Sequence, residues 1–212
     1  TLIDSAPDIQ RIANYILKEG GHPLISMQET KAFIGNGASI FVQKMCAARS
    51  IPAINHELYL NTFLDLYEGA VDLTKLYPGV VGALNYLKNS NHALGICTNK
   101  PIGPCRSILA HLRIIDYFDI IIAGDSLKVR KPNPEPLQKA ISLLNREPAF
   151  YVGDSEVDAE TAERAAVPFI MFTRGYHKTL MDQFIPVSIF HDFQNLPDIV
   201  TCLIEKNQTR HS

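Results

Sequence analysis

Tyr151-Val152-Gly153-Asp154-Ser155-Glu156-Val157-Asp158 is the stretch from which the fold is read. The apolar run Ala149-Phe150-Tyr151-Val152 stops at Gly153, an acidic residue follows at once, and a helical pattern then runs through Ala166. This is a strand that ends in a carboxylate and meets the start of a helix. Asp154 and Asp158 stand at i and i+4 on one helical face, where like charges repel unless a cation intervenes. The free N–H groups and dipole of a helix N-terminus can hold one anion. A second carboxylate asks for a cation, and a hard, oxygen-seeking ion such as Mg2+ suits it. The stretch alone leaves two readings open: Asp154 as a metal ligand, or Asp154 or Ser155 as a plain N-cap, since both residue types are preferred there.

Outward from this stretch, strands and helices alternate. A helix is expected over 80–88, a buried strand over 93–97, a helix over 104–113 and a strand over 118–123. A helix over 134–145, the strand 149–152, a helix over 156–166 and a strand over 169–172 follow, then a short strand 187–190 and a closing helix 196–205, with a frayed polar tail over 207–212. Such alternation implies parallel βαβ units and a doubly wound α/β sheet covered on both faces. Before Tyr77-Pro78-Gly79 the pattern is helical. Ser5 and Pro7 open a helix whose Ile9, Ile12, Ala13, Ile16 and Leu17 repeat at helical spacing up to Gly20-Gly21. A second helix starts near Ser26, the turn Gly35-Asn36-Gly37 interrupts it, and a long one over 54–70 turns Leu58, Phe63, Leu66 and Tyr67 inward.

The totals exclude several classes. A chain of 212 residues, 46% hydrophobic, can bury a core of one domain with an insertion. A net charge of -2 leaves no electrostatic footprint for nucleic acid or an anionic membrane. No apolar stretch reaches the roughly 18 residues of a membrane span. Cys46, Cys97, Cys105 and Cys202 form no C-x-x-C pair, which suits free thiols in a reducing, cytoplasmic setting. The scattered histidines give no zinc pattern.

In a doubly wound sheet, ligands sit beyond the carboxyl ends of the strands. The first strand leads to Thr98-Asn99, a hydroxyl and an amide able to bind an anionic oxygen. The second leads to Lys131-Pro132-Asn133-Pro134, where two prolines stiffen the mount of one ammonium. The third leads to Asp154 and Asp158. A hydroxyl, a rigid lysine and a carboxylate pair at successive strand ends together argue for a phosphoryl site with a bound cation.

Thr98-Asn99-Lys100, Lys131-Pro132 and Gly153-Asp154-Ser155-x-x-Asp158 resemble the second, third and fourth motifs of the haloacid dehalogenase superfamily. Tyr77-Pro78-Gly79-Val80, Thr98-Asn99-Lys100-Pro101, Lys131-Pro132-x-Pro134-x-Pro136-Leu137 and Arg174-Gly175-Tyr176 are similar to its phosphoglycolate phosphatase branch. The resemblance implies a Rossmann-like core of residues 1–7 and 73–212 with an inserted α-helical cap over 8–72. It implies a Mg2+-dependent phosphatase of a small phosphorylated metabolite, 2-phosphoglycolate before others, acting as a monomer or homodimer. Thr98 would bind the phosphoryl oxygens with Asn99 helping to shape the substrate pocket, Lys131 would neutralise the phosphoaspartate and transition state, Asp154 would be a Mg2+ ligand, and Asp158 would steady the metal or its waters. The loop over 34–38 resembles the cap loop that faces the site, where Asn36 would take a small carboxylate.

Thr1-Leu2-Ile3-Asp4-Ser5 resembles the end of the family's first motif, D-x-D-G-T-L-x-D-S. The two catalytic aspartates, nucleophile and acid/base, belong to the D-x-D expected just before Thr1, on a central strand, and Asp4 matches only the motif's last aspartate. That strand is expected in the parent protein. The corresponding structural expectation is a sheet left open beside Asp154, with Thr1 close to it. The alternatives are another small-phosphomonoester hydrolase or a sugar-phosphate mutase of the same branch, and a phosphate-binding protein without catalysis. A receiver domain is disfavoured, because its acidic residues come first in the chain.

Overall fold

The computed structural model describes residues 1–177 and 184–211. The side chains of Asn207, Arg210 and His211 lie outside the description. The chain opens with β1 (Ile3–Asp4) and continues through four helices, α1 (Ala6–Glu19), α2 (Met27–Phe33), α3 (Ala38–Ala48) and α4 (His56–Tyr67). It returns along β2 (Lys75–Leu76), which pairs antiparallel with β1, Ile3 opposite Leu76. This short hairpin of distant segments has no signature in the sequence, because two-residue strands carry no period. The α/β part follows: α5 (Val80–Asn89), β3 (Gly95–Cys97), α6 (Ile102–His111), β4 (Ile120–Ile122), α7 (Glu135–Leu144), β5 (Tyr151–Gly153), α8 (Glu156–Ala165), β6 (Phe169–Phe172), β7 (Ser188–Phe190) and α9 (Leu196–His211). The closing helix therefore continues to His211, where a frayed tail was expected from Asn207.

Helices α1 to α4 pack on a core of their own. The stripe Ile9, Ile12, Ala13, Ile16 and Leu17 of α1 is buried as its spacing predicts, against Phe41, Met45 and Phe63. On α4 the packed stripe is Tyr59, Phe63 and Tyr67, whereas Leu58 and Leu66, expected inward, stay exposed. Residues four apart share a helix face, and Leu58 lies one position off that stripe. Ser5 occupies the N-cap position of α1 without a side-chain cap bond. The Tyr176 hydroxyl accepts from Ala6 N–H at 2.9 Å instead. Ser26 caps α2 in a reciprocal box with Glu29, and the Arg49 guanidinium grips the same Glu29 carboxylate at 2.9 Å.

Asp8 fastens the returning chain to α1. Its buried Oδ2 accepts from Leu73 N–H at 3.0 Å, Thr74 N–H at 2.7 Å and the Thr74 hydroxyl at 2.8 Å. Arg11 approaches Oδ1 at 2.9 Å as an ion pair, although that oxygen accepts no hydrogen bond.

The α/β part has helices on both faces, as its alternation implies. Along β6, Phe169 and Met171 face Ala159 and Ala162 of α8, while Ile170 and Phe172 face the core shared by α5, α6 and α9. The strands run parallel, Gly95 opposite Ile120 in one ladder and Tyr151 opposite Phe169 in the other. Among the described residues these are separate ladders, β3-β4 and β5-β6-β7, and no strand pairing joins β3 to β5. A cavity of about 690 Å³ lies between them, lined by Ile96 and Cys97 on one side and Tyr151 and Val152 on the other. The expected open sheet is observed.

The Glu29 carboxyl is held down from 4.5 to about 2, first by the hydrogen bond from Arg49 and then by that from Ser26 N–H. A carboxyl depressed on folding contributes stability that is complete above its unfolded pKa and lost as the pH falls through its folded one. Melting curves of the protein and of Glu29→Gln should therefore differ above pH 4.5 and converge as the pH falls through about 2.

Candidate active site

The expected residues of the α/β part meet at the carboxyl ends of the strands. Thr98 follows β3 directly, Asp154 follows β5 directly, and Lys131 lies in the loop after β4. All of them line the cavity, together with Thr1 and Asp158.

The hydrogen bonds show which residue of the Asp154 segment caps the helix. The cap of α8 is Ser155, whose hydroxyl accepts from Asp158 N–H at 3.2 Å. Asp158 completes the box: its Oδ2 accepts from Ser155 N–H at 3.2 Å, the Ser155 hydroxyl at 2.7 Å and Asp154 N–H at 3.1 Å. The Asp154 side chain is thereby free of the helix. Its Oδ1 accepts from the Thr1 hydroxyl at 2.6 Å with Thr1 N 3.0 Å away, and its Oδ2 accepts from Tyr176 N–H at 2.8 Å. Two glycines permit this. A Cβ on Gly153 would sit 2.4 Å from the Asp158 Cβ, and one on Gly175 would sit 1.9 Å from Asp154 Oδ2.

Asp158 was expected beside a metal; here its other oxygen holds Lys131. Oδ1 accepts from the Lys131 ammonium at 2.6 Å and from the Tyr151 hydroxyl at 3.0 Å, and Lys131 also donates to Tyr151 at 2.8 Å. Lys131 is only 8% exposed. Burial alone would lower the Lys131 pKa, but the Asp158 charge outweighs it and the ammonium stays above its ordinary value. Burial would likewise raise the Asp158 carboxyl, but the Lys131 charge and hydrogen bond hold it well below the usual carboxylate range. The Tyr151 phenol, buried and beside Asp158, is pushed well above its usual pKa and remains protonated. Burial also raises the Cys97 thiol, which argues against a thiolate nucleophile at this strand end.

Asn99 has both ends of its amide engaged. It accepts from Lys131 N–H at 3.0 Å, donates to Lys131 C=O at 3.0 Å, and donates to Gly35 C=O at 3.1 Å. It clamps the lysine backbone and ties down the loop over 34–37. Thr98 accepts from Lys100 N–H at 3.1 Å, so its hydroxyl proton is left to donate. Asn36, expected to face a ligand, is not among the residues lining the cavity; its neighbours Gly35 and Gly37 are. Gly37, at φ +88°, lies so close to Arg130 and Asn99 that an added Cβ would sit 3.0 Å from the Arg130 guanidinium. Sequence reading missed Tyr151, Tyr67 and the role of Tyr176, which makes the clamp on Asp154 and whose hydroxyl donates to Asp4. Only Arg174-Gly175-Tyr176, noted for its resemblance, pointed to one of them.

This geometry agrees with the kinship of the chain. A family model described as haloacid dehalogenase-like hydrolase matches residues 1–172. The chain belongs to that family. It is an enzyme of the hydrolase class. A protein named phosphoglycolate phosphatase from Rhodobacter capsulatus is 40% identical over 203 residues, covering 94% of this chain and 92% of its own. One of the same name from Cereibacter sphaeroides is 40% identical, covering 96% and 95%. The crystal structure of a predicted phosphoglycolate phosphatase from Haemophilus somnus 129PT superposes with a TM-score of 0.87 at 30% identity, covering 94% of this chain and 93% of that one. Among the described residues no helix is long and apolar enough to cross a membrane.

Removing one partner of the buried pair leaves the other charge uncompensated. Asp158→Asn is expected to lower the unfolding free energy by about 3–5 kcal/mol, read from denaturant titration. Gly175→Ala should displace Asp154 at a cost of about 1–3 kcal/mol and lower activity more than Tm.

Proposed function

We propose that the protein is a Mg2+-dependent phosphatase of small phosphorylated metabolites that cleaves 2-phosphoglycolate to glycolate and phosphate. The observation that carries this reading is the buried Lys131 ammonium, fixed by Asp158, Tyr151 and the Asn99 clamp at the strand ends that also present Thr98 and Asp154. A rigid cation beside a free hydroxyl proton suits a phosphoryl group, whose charge grows on oxygens during transfer. The relatives named phosphoglycolate phosphatase support the choice of substrate.

Asp154 would hold the metal. The donors there are hard oxygens, the Asp154 carboxylate with the Thr1 hydroxyl beside it. Among the described residues there is no group of three His, Cys, Asp or Glu that could hold an ion. Hard oxygens of this kind suit Mg2+, which typically takes one or two carboxylates and completes its shell with substrate oxygens and water. When bound, the ion would neutralise phosphoryl charge.

The residues of the chain divide the remaining work. The Thr98 hydroxyl donates to one phosphoryl oxygen. Of the three N–H bonds of Lys131, two go to Asp158 and Tyr151, which leaves one for the phosphoryl group. In this reading the attacking aspartate comes from the first-motif D-x-D ahead of Thr1, and a carboxylate there would lie next to Asp154. Its oxygen would attack phosphorus to form an acyl phosphate while the second aspartate protonates the departing glycolate oxygen. The second aspartate would then take a proton from the water that hydrolyses the acyl phosphate. Residues 8–72 would act as the cap, held over the cavity by Asn99 on Gly35 and by Lys100 on Tyr67, and would exclude water from the first step. Free thiols accord with a reducing cytoplasm, and the assembly would be a monomer or homodimer.

Phosphate release by the full natural protein, measured over a panel of small phosphomonoesters, tests the proposal. The expected outcome is the highest kcat/KM for 2-phosphoglycolate, loss of activity with EDTA, and a kcat lower by about 10²–10³-fold in Lys131→Met. Preference for another ester would overturn the substrate, and no release from any ester would overturn the enzyme reading.

A further inference from the structure

Lys131 and Lys100 both line the cavity, but their charges are treated differently. Lys131 is matched by the Asp158 carboxylate. Lys100 sits immediately after the Thr98-Asn99 pair, and its ammonium donates to the Tyr67 hydroxyl on α4 while lying 4.2 Å from the centroid of that ring. No carboxylate of the described residues pairs with it. A neutral phenol and a ring face orient the ammonium without cancelling its charge. The cavity lining includes the apolar Ile9, Ile34, Phe41 and Phe63, and the Phe63 ring centroid lies 5.1 Å from that of Tyr67. A partly buried cation against such a wall favours an anion.

We propose that Lys100, oriented by Tyr67, is the second anion subsite and takes the carboxylate of a small phosphorylated acid whose phosphoryl group sits at Thr98 and Lys131. The proposal rests on the phosphatase reading and deepens it by naming what selects the substrate. Three observations converge. Lys100 N–H donates to the Thr98 hydroxyl at 3.1 Å, so the two subsites are carried by residues two positions apart on one strand-end turn. An ammonium has three N–H bonds, and Tyr67 takes one, which leaves two for a carboxylate. Tyr67 comes from the helical segment and Lys100 from the α/β part, so a carboxylate bound there would also bridge the closed cap. Asn36, the residue first expected to meet a carboxylate, lies off the cavity wall, and Lys100 fills that role.

The test compares 2-phosphoglycolate with ethyl phosphate, an ester of similar size without the carboxylate, in the full natural protein and in Lys100→Met, Lys100→Arg and Tyr67→Phe. Methionine keeps the stem against the Tyr67 ring and removes the ammonium, with both its charge and its hydrogen bond to the Tyr67 hydroxyl. Lys100→Met is expected to raise KM for 2-phosphoglycolate by about 10- to 100-fold with kcat little changed, because a hydrogen bond to a charged group is lost. Kinetics on ethyl phosphate should change no more than they do in Tyr67→Phe, which breaks the same hydrogen bond to the cap and keeps the charge. Lys100→Arg should recover part of the loss, and Tyr67→Phe should give a smaller rise in KM. Equal losses on both esters, or no loss on either, would overturn the proposal. Calorimetric titration with 2-phosphoglycolate and with inorganic phosphate separates this proposal from the phosphatase reading. If neither ester is hydrolysed but Lys100→Met weakens only 2-phosphoglycolate, the phosphatase reading falls and the subsite stands. If it weakens both ligands alike, or neither, the subsite falls.

Discussion

Lys131 and Asp158 form a buried ion pair, and the geometry of the site follows from it. Two charges withdrawn from water are tolerated only when every remaining donor and acceptor is satisfied. Here Asp158 accepts from an ammonium, a phenol, a hydroxyl and two backbone N–H groups. The same carboxylate closes the capping box that starts α8. Charge placement and secondary structure are thereby coupled: α8 cannot begin elsewhere without leaving Lys131 unmatched. Asp154 is released from capping duty and turned toward the cavity because Ser155 and Asp158 cap the helix between them.

A second constraint is the way the helical segment is joined to the α/β part. The chain crosses between them twice, at β1 and at β2, and those crossings are paired with each other and pinned by Asp8. Around the cavity, contacts cross between the two parts at Asn99 with Gly35, at Lys100 with Tyr67, and at the Lys31 ammonium 5.9 Å from the Tyr176 ring centroid. Residues that bind and residues that fasten are therefore the same or adjacent. Asn99 holds the lysine backbone and the helical loop with one amide, and Lys100 meets α4 through the side chain proposed to select the substrate. Closure of the helical part and assembly of the site are linked by these shared groups.

Much of the fold was legible because its signals are local. The stripe of α1, the stop at Gly20-Gly21 and the apolar run of β6 are each contained within a few turns of chain, and each was found where periodicity put it. Thr98, Lys131 and Asp154 were legible for a related reason: a doubly wound sheet brings strand ends together, so their order along the chain is enough. Asn36 and the partners of Asp158 were not. Gly35 and Gly37 line the cavity while Asn36 between them does not, and the loop that carries them is fixed by Asn99, a residue 64 positions from Gly35. Leu58 was misread because a long apolar helix offers more than one stripe, and the neighbouring helices select among them.

The sequence by itself determined the alternation of strands and helices, the run of helices that precedes Tyr77, and which polar residues stand at strand ends, since these follow from period and punctuation along one dimension. Only the tertiary structure decided that Ser155 rather than Asp154 caps α8, that Asp158 serves Lys131, that Asn99 is a clamp, and that Lys100 keeps its charge available beside Tyr67. Each of those outcomes depends on which groups distant in the chain come within hydrogen-bond reach. A partner such as Tyr67, 33 positions from Lys100, or Thr1, 153 positions from Asp154, has no local signature.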